Sequence, residues 1–375
     1  MKKLLFYTYW NMENPETNGI CKKILSQIKV FRDFGYQVDY TYLKGEDFYI
    51  NIDGQEKLVQ RKKLWTKPIA ANTLRKKISG IRYDYMYIRY NCSEWGFVKL
   101  LKDQYKKGTK ILLELPTVEY EKGLTDSMAG RVYLAVDLAF RKLLKKYVDK
   151  IVVFQNYNSV FGIPTIRTIN GIEINKIAQK KYTGDLDSIN VICVAIYSKW
   201  HCLDRFLYGL INYYSNNPKK NINLHVVGDG PSLNGYKDIV RDSNVGSHVK
   251  FYGLKSGKEL DELYDISDIA VEVLGGHKLG LKTSSAMKSR EYMVRGIPYI
   301  TELESDILPK DWKYMITVPY DDSPIDMNLL IDFSDKYMSS IDDKMNVTKE
   351  IREFAEAKID MKVTMDCIIK EYENE

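Results

Sequence analysis

The sequence predicts an α/β protein with two domains, each built on its own parallel sheet. Three observations support this prediction. Short apolar runs alternate with stretches whose apolar residues recur at helical spacing, the pattern of parallel strands joined by helices. The chain has 375 residues, enough for two separate cores. A polar stretch over residues 176–188, with a glycine and few hydrophobic residues, indicates a linker between the domains.

The composition narrows the class of protein. Hydrophobic residues make up 45% of the chain and charged residues 28%, as in soluble globular proteins. The net charge of +6 is mild, so it permits an anionic substrate or lipid surface, and we expect no nucleic acid partner. Five scattered cysteines favour reduced thiols in a cytoplasmic protein. No apolar run approaches the roughly 18 residues of a spanning helix.

The first domain opens with a strand, a loop, a helix and a second strand. The loop carries Asn18 and Gly19 and follows the carboxyl end of the strand at residues 4–9. Ligands of open parallel sheets bind beyond such strand ends. Asn18 and Gly19 are therefore candidate ligand-binding residues, and a plain connector is the alternative.

A long amphipathic helix is predicted over residues 129–150. The side chains expected to pack inward are Val132, Val136, Phe140, Leu143 and Tyr147. Its final part, residues 141–150, is basic, which suits the negative end of a helix dipole. A surface helix explains this pattern. The alternative is a patch that contacts an anionic membrane.

The second domain has candidate ligand residues at the ends of its predicted strands. Lys199 follows the strand at residues 190–195, and Arg205 lies in the first turn of the next helix, where the dipole does not favour a cation. Two surface cations are the alternative interpretation. Later strands end in glycine turns, which contribute Gly228, Gly230, Tyr252 and Gly253 as further candidates.

Residues 274–298 form the stretch with the most specific signal. A glycine-containing loop with His277 leads into a helix for which Ser284 and Ser285 are N-cap candidates. Free N–H groups at a helix N-terminus bind phosphate, with Lys288 close by. Glu291, further along, can accept hydrogen bonds from the vicinal hydroxyls of a ribose. An ordinary capped helix with solvated charges is the alternative.

Residues 291–298, Glu-Tyr-Met-Val-Arg-Gly-Ile-Pro, resemble a motif of the GT-B glycosyltransferases, specifically the retaining glycosyltransferase family 4. That motif has two glutamates eight positions apart, followed by Ala-Met-x-x-Gly-x-Pro. Here Thr283 stands at the position of the first glutamate. The resemblance implies that Glu291 binds the ribose of a nucleotide sugar.

Other segments resemble the same family more weakly. The resemblance implies that Lys199 and Arg205 hold the donor diphosphate, in reversed order compared with the family. It places the glycine turns beside the nucleotide and the base. His277 is placed to reach the donor sugar or a phosphate. A turn after the strand at residues 110–115 resembles the acceptor-side loop of bacterial members, with Glu114, Glu119 and Glu121 as candidate contacts to sugar hydroxyls.

The implied architecture is GT-B: two Rossmann-like parallel-sheet domains facing across a cleft. The implied boundaries are 1–175 for the acceptor domain, 189–345 for the nucleotide-sugar donor domain, and 346–375 for a C-terminal helix that crosses back to the first domain. The linker contains Asp185-Leu186-Asp187, a nominal metal–diphosphate motif, but no apolar strand precedes it. We therefore expect neither a metal nor a resident cofactor.

The implied activity is transfer of a sugar from a nucleoside diphosphate sugar, with UDP favoured, to a glycan or lipid-linked acceptor. The resemblance implies retention of configuration, cell-surface polysaccharide synthesis, and a place in the cytoplasm or at the inner face of the membrane. Two alternatives stay open. One is a catalytically silent GT-B partner protein, favoured by Thr283, and the other is a GT-B nucleotide-sugar epimerase.

Overall fold

A computed structural model describes residues 2–13, 18–62, 66–125, 127–183 and 186–373. The chain divides into two compact units. The first comprises Met1–Gly171 together with Met361–Glu375, and the second comprises Ile172–Asp360. Each unit contains a mainly parallel sheet, so the predicted α/β class is confirmed.

The sheet of the first unit has nine strands in the order β4-β3-β2-β1-β5-β6-β7-β9-β8. Its strands are β1 (Lys3–Tyr7), β2 (Gln37–Lys44), β3 (Asp47–Ile52), β4 (Gln55–Gln60), β5 (Tyr85–Arg89), β6 (Lys110–Glu114), β7 (Lys150–Val153), β8 (Ser159–Val160) and β9 (Ile163–Arg167). The run from β2 to β9 across the middle of the sheet is parallel, and β3, β4 and β8 pair antiparallel at the edges. The strand order reverses between β1 and β5.

The second unit has a six-stranded parallel sheet in the order β12-β11-β10-β13-β15-β17 and a separate ribbon of β14 and β16. Its strands are β10 (Ser188–Ile196), β11 (Asn221–Asp229), β12 (Val249–Gly253), β13 (Ile269–Val271), β14 (Thr283–Ser284), β15 (Tyr299–Thr301), β16 (Glu304–Ser305) and β17 (Met315–Thr317). This is the Rossmann strand order, which reverses between β10 and β13.

Helices connect the strands of both units. They are α1 (Gly19–Asp33), α2 (Thr66–Lys77), α3 (Trp95–Lys106), α4 (Glu121–Leu124), α5 (Met128–Phe140), α6 (Leu203–Tyr214), α7 (Leu233–Arg241), α8 (Gly257–Asp265), α9 (Met287–Arg295), α10 (Asn328–Tyr337), α11 (Ile341–Lys358) and α12 (Met361–Glu373). Within the described ranges, none of these helices is both long enough and apolar enough to span a bilayer.

The C-terminal segment forms two helices where one was expected over residues 346–375. Helix α11 belongs to the second unit and α12 to the first. The buried side chains of α12, including Met365, Ile368 and Tyr372, join a core of the first unit with Phe31. The hydroxyl of Tyr372 donates to the carbonyl oxygen of Met86 at 2.8 Å. The chain therefore returns to the first unit at α12 alone.

The boundary between the units also lies earlier than the expected linker. It falls after Gly171, and the described part of the 176–188 segment belongs to the second unit. The N–H of Lys180 donates to the carbonyl oxygen of Arg295 at 2.9 Å, and the Lys180 side chain is buried. Of the nominal metal motif, Asp185 lies outside the described residues.

The predicted amphipathic helix is shorter and faces the other way. Helix α5 ends at Phe140 and continues as a 3₁₀ turn, Arg141–Lys146. Val132, expected to pack inward, is 55% exposed. The buried residues of α5 are Gly130 and Asp137, and Asp137 accepts hydrogen bonds from the hydroxyls of Tyr90 and Tyr120. Because these bonds fix the polar side inward, the apolar side faces outward.

Candidate functional site

The loops that follow β10 and β13 flank the point where the strand order of the second unit reverses. The N–H of Leu274 donates to the carbonyl oxygen of His201 at 3.2 Å, which joins the two loops. A Cβ atom on Gly275 would lie 2.3 Å from the Sγ of Cys202, so a glycine is required for this approach. In an open parallel sheet, the crevice at this reversal is where ligands bind.

Two glycines lock the loop after β10 to the loop after β11. Gly228 has φ +120° and Gly230 has φ +139°, in the region that favours glycine. A Cβ atom on Gly228 would lie 1.9 Å from the carbonyl oxygen of Ala195, and one on Gly230 would lie 2.5 Å from the backbone nitrogen of Tyr197. The predicted glycine turn therefore exists, and it positions the backbone beside the crevice.

Arg205 lies in the first turn of α6, with only 2% of its side chain exposed. Its guanidinium donates to the Glu302 carboxylate at 2.7 Å and to the carbonyl oxygens of Leu274, Ser323 and Pro319 at 2.6, 2.9 and 2.8 Å. Each of its three nitrogens thus has a protein acceptor. Arg205 ties together the loops around the crevice, and its direct contact with a diphosphate stays a prediction.

His277 is held between two carboxylates. Its Nδ1 lies 2.8 Å from Glu302 Oε2 and its Nε2 lies 3.1 Å from Asp322 Oδ1. Its backbone N–H donates to Glu302 Oε1 at 2.8 Å. The side chain of Glu302 is fully buried, so one carboxylate serves both Arg205 and His277. Sequence analysis did not identify Glu302, because no local motif marks it.

The N-terminus of α9 differs from the prediction. The helix begins at Met287 with Ala286 at the N-cap position, so the N-cap prediction for Ser284 and Ser285 is wrong. The hydroxyl of Ser284 donates instead to the buried carboxylate of Glu272 at 2.6 Å. A buried carboxylate needs hydrogen-bond donors. The hydroxyl of Ser284 therefore serves Glu272 and does not cap the helix. Ser285 lies between β14 and α9.

Lys288 and Lys199 are basic residues on α9 and on the loop that follows β10. The Nζ of Lys288, on the first turn of α9, donates to the carbonyl oxygen of Glu272 at 3.3 Å. Burial lowers the pKa of this lysine. Burial, and then the Lys288 ammonium, lower the pKa of His201 to about 4, so His201 is neutral near pH 7. Lys199 is exposed at the start of the 3₁₀ turn Lys199–His201.

Residues 207–302 match the family model described as Glycosyl transferases group 1. Solved structures also match over nearly the whole chain. A glycosyltransferase from Rickettsia africae is 12% identical, with a TM-score of 0.69, and the match covers 99% of this chain and 98% of that one. HepE from Anabaena, solved with UDP-glucose, is 13% identical with a TM-score of 0.59, and both chains are covered completely. No curated protein sequence matches the chain.

The chain has the GT-B fold, and residues 207–302 of it resemble glycosyl transferases of group 1. A further similar structure, the pneumococcal O-GlcNAc transferase GtfA with UDP and GlcNAc, is 9% identical with a TM-score of 0.57, covering 99% of this chain and 98% of that one. At these identities the structural likeness establishes the fold, and the family match places the glycosyl-transfer domain within the second unit.

Glu291 lies on α9, one turn beyond Lys288. Its Oε1 accepts hydrogen bonds from the Nε and Nη2 of Arg295, both at 3.2 Å, and a third of its side chain is exposed. Arg295 also donates to Asp261 at 2.7 Å. The carboxylate is therefore fixed in orientation and partly accessible. Thr283, at the position of the first family glutamate, is exposed in β14.

The remaining predicted residues lie at other strand and helix ends. At the end of β12, the hydroxyl of Tyr252 lies 2.9 Å from Nδ1 of His225, and Gly253 has φ +68°. In the first unit, the side chain of Asn18 accepts from the first N–H groups of α1, and Gly19 begins that helix with open space around it. Their contacts with a donor stay predictions.

The first unit contains a cavity of about 280 Å³, lined in part by the turn that follows β6, which the sequence had marked as similar to the acceptor-side loop. It lies at the carboxyl ends of β1, β5 and β6 and is lined by Thr8, Tyr9, Trp10, Ile20, Arg89, Tyr90, Asn91, Cys92, Leu115, Pro116, Thr117, Tyr120 and Leu124. Glu114, a predicted sugar contact, is fully buried behind Arg89. Glu119 and Glu121 accept from Tyr157 and Arg141.

The described residues hold no group of three or more histidine, cysteine, aspartate or glutamate side chains that could bind a metal. The positive groups of this region are Lys288, Lys199 and the N-terminus of α9. This arrangement can stabilise a diphosphate by charge and by backbone N–H groups.

Proposed function

We propose that the transferase moves a sugar from a UDP-sugar to a glycan or lipid-linked acceptor, in the synthesis of cell-surface polysaccharide. The observation that carries this proposal is the crevice of the second unit, where Lys199, Lys288 and the N-terminus of α9 all lie at the reversal of strand order. An anionic diphosphate is the ligand that such a set favours. Two similar structures were solved with UDP or UDP-glucose.

The proposed chemistry needs stabilisation of the leaving group. As the bond from the anomeric carbon to the diphosphate breaks, negative charge grows on the diphosphate oxygen. Lys199, Lys288 and the free N–H groups of α9 offset that charge without a metal ion. We assign Glu291 to the ribose hydroxyls and His277 to the donor. Arg205 acts indirectly, since it holds Glu302, which in turn orients His277.

Retention of configuration is part of the same proposal. The acceptor hydroxyl attacks the face from which the diphosphate leaves, and a phosphate oxygen of the donor takes the acceptor proton. The new glycosidic bond forms as the bond to the diphosphate breaks, and the products are the glycoside and UDP. This route needs no protein nucleophile.

The place of action follows from the proposed acceptor. We assign the transferase to the cytoplasm, at the inner face of the membrane, where a lipid-linked acceptor would be met. Support comes from residues 141–150, in which Lys142, Lys145 and Lys146 are exposed. Helix α5, directly before them, exposes apolar side chains. A basic segment beside an apolar surface suits anionic headgroups.

The donor assignment predicts the result of one substitution. Lys288→Met keeps the apolar stem of the side chain and removes the charge. We expect UDP to bind about 10- to 100-fold more weakly, since a hydrogen bond to a charged group contributes about 1.5–3 kcal/mol. Isothermal titration calorimetry with UDP measures the change.

Lys258→Met is the matched control, because Lys258 is 91% exposed on α8 and changes the net charge equally. It should leave UDP affinity unchanged. Glu291→Gln should weaken UDP binding as well, through the ribose. Full UDP affinity in both Lys288→Met and Glu291→Gln would contradict the proposed donor site.

A further inference from the structure

The cavity of the first unit has the composition of a small-ligand site. It lies where strand order reverses between β1 and β5, and its walls include the rings of Tyr9, Trp10, Tyr90 and Tyr120. Its volume of about 280 Å³ is close to the lower end of the range for such sites. Aromatic walls with a few polar groups favour an amphipathic ligand, such as a sugar ring.

Arg89 is the charged residue that lines this cavity. It is the last residue of β5, and its side chain is only 9% exposed. Within the described part of the chain, its hydrogen bond runs from Nη1 to the carboxylate of Glu114. A guanidinium has five N–H groups in a planar fork. The bond to Glu114 therefore anchors one arm of the fork, and the rest of the fork can serve a ligand in the cavity.

The charges behind the cavity wall do not balance locally. Glu114 is the one carboxylate of the cluster, and the ammonium of Lys23 lies 3.4 Å from its Oε1. Gln27 and Tyr87 donate to its other oxygen at 2.6 and 2.7 Å. Burial opposes ionisation, but Lys23 and Arg89 outweigh it and lower the pKa of Glu114 to about 2. Two cations thus share one carboxylate.

The nearest other charges do not cancel this excess. Asp137 accepts hydrogen bonds from the hydroxyls of Tyr90 and Tyr120, and the guanidinium of Arg141 lies 3.7 Å from it. The buried Lys67 lies close enough to Glu94 and Asp137 for both carboxylates to oppose the burial that lowers its pKa. Around Arg89, the two cations Lys23 and Arg89 exceed the single carboxylate of Glu114 by one positive charge. A buried cation is costly unless an anion pairs with it.

We propose that this cavity binds an acceptor sugar that carries an anionic group, a phosphate or a carboxylate, and that the guanidinium of Arg89 binds that group. The inference rests on the proposed function in one respect, that the ligand is called an acceptor. The planar fork of an arginine suits both kinds of anion, because it binds two oxygens at once.

Cys92 provides a local readout of the cavity. It lines the cavity and is partly exposed, whereas Cys21, Cys193 and Cys202 are buried. The experiment measures the rate of Cys92 alkylation by iodoacetamide in the full-length protein, by peptide mass spectrometry. The probes are glucuronate, glucose 1-phosphate and glucose. Cys367, also partly exposed, is the internal reference.

We expect a saturating anionic sugar to slow alkylation of Cys92 at least fivefold, with little effect of glucose and none at Cys367. Protection by glucuronate alone assigns a carboxylate, and protection by glucose 1-phosphate alone assigns a phosphate. Arg89→Gln should abolish the protection. Arg89→Lys keeps the charge without the fork and should retain partial protection. Arg75→Gln, at a partly exposed arginine of α2, should retain full protection.

The proposal is overturned if neither anionic sugar protects Cys92, if glucose protects equally, or if Arg89→Gln keeps full protection while the protein melts as the unmodified chain does. UDP affinity of Arg89→Gln is measured in parallel and should be unchanged, because Arg89 is not among the residues assigned to the donor. If the unmodified protein does not bind UDP, only the proposed donor site is refuted. The alkylation rate of Cys92 does not depend on UDP binding.

Discussion

Arg205 and Lys288 are both basic residues near helix starts, and their surroundings in the second unit are opposite. Arg205 donates to one carboxylate and three carbonyl oxygens. Lys288 donates to a single carbonyl oxygen of Glu272. The helix dipole disfavours a cation at either position. Glu302 offsets that cost for Arg205, and an anionic ligand would offset it for Lys288.

A double-mutant cycle tests the structural role of Arg205. Arg205→Met leaves Glu302 buried without its main partner, so the free energy of unfolding should fall by about 3–5 kcal/mol. Adding Glu302→Gln should recover part of that loss, because the uncompensated charge is removed. Urea denaturation of the three variants measures both effects.

Arg241→Met is the control for this cycle, since Arg241 pairs with Asp238 at the surface, where an ion pair contributes little to stability. Equal losses for Arg205→Met and for the double variant would refute the coupling. A loss no larger than the control's would show that Arg205 is free to serve a ligand.

At the scale of elements, turns and short loops decide where the site lies. The backbone of Cys202 adopts φ +46°, so the loop after β10 bends sharply into α6. Gly228 and Gly230 hold the neighbouring loop against it. Helix α9 then points its N-terminus at the same crevice. These loops and this helix are short. They form a candidate ligand site because all of them lie at the carboxyl edge of one sheet.

Helix α5 is the element whose outer surface leads to a prediction about membranes. Met128, Val132 and Tyr133 are 83%, 55% and 54% exposed. We expect the protein to bind vesicles that contain phosphatidylglycerol and not vesicles of phosphatidylcholine alone. Val132→Ser with Tyr133→Ser should weaken binding about tenfold or more, because burial of apolar side chains is lost. Cosedimentation measures it.

Charge reversal in the adjoining segment tests the electrostatic part. Lys145→Glu with Lys146→Glu should also weaken vesicle binding about tenfold or more. Each lysine that is lost removes roughly 1 kcal/mol of attraction to the anionic lipid, and each glutamate adds repulsion from it. Met345→Ser is the control, since Met345 is 57% exposed on α11 in the second unit. Vesicle binding that neither pair of substitutions changes would exclude this surface as the membrane contact.

At the scale of the whole molecule, the first unit is built from two separate segments of the chain, and the second unit is one continuous stretch. The first unit is completed by α12, although α12 follows the entire second unit in sequence. Tyr372 is fully buried there and packs 4.5 Å from the ring of Tyr85, centroid to centroid. The stability of the first unit therefore depends on the packing of α12.

Tyr372→Ala tests this dependence. Removing a buried aromatic side chain typically costs about 3–5 kcal/mol, and this loss should fall on the first unit. Hydrogen exchange should accelerate in β1 and α1 and stay unchanged in β10 and β11. Tyr208→Ala, at a 45% exposed tyrosine of α6, is the control and should alter neither unit. Equal acceleration in both units would show that they unfold together.

The sequence by itself determined the features that depend on near neighbours in the chain. Three features follow from periodicity and from positions that only glycine can occupy. They are the alternation of strands and helices, the turn at Gly228 and Gly230, and a helix that carries Lys288 and Glu291. The structure bears these out because backbone sterics and side-chain spacing act over a few residues.

Only the tertiary structure decided which charges meet. Arg205 pairs with Glu302, which is 97 positions away in the sequence, and Lys23 pairs with Glu114, which is 91 positions away. The same holds for α5, whose buried side is set by Tyr90 and Tyr120 and not by its own apolar residues. No spacing rule connects such partners, because burial makes each charge take whatever counter-charge the fold brings near.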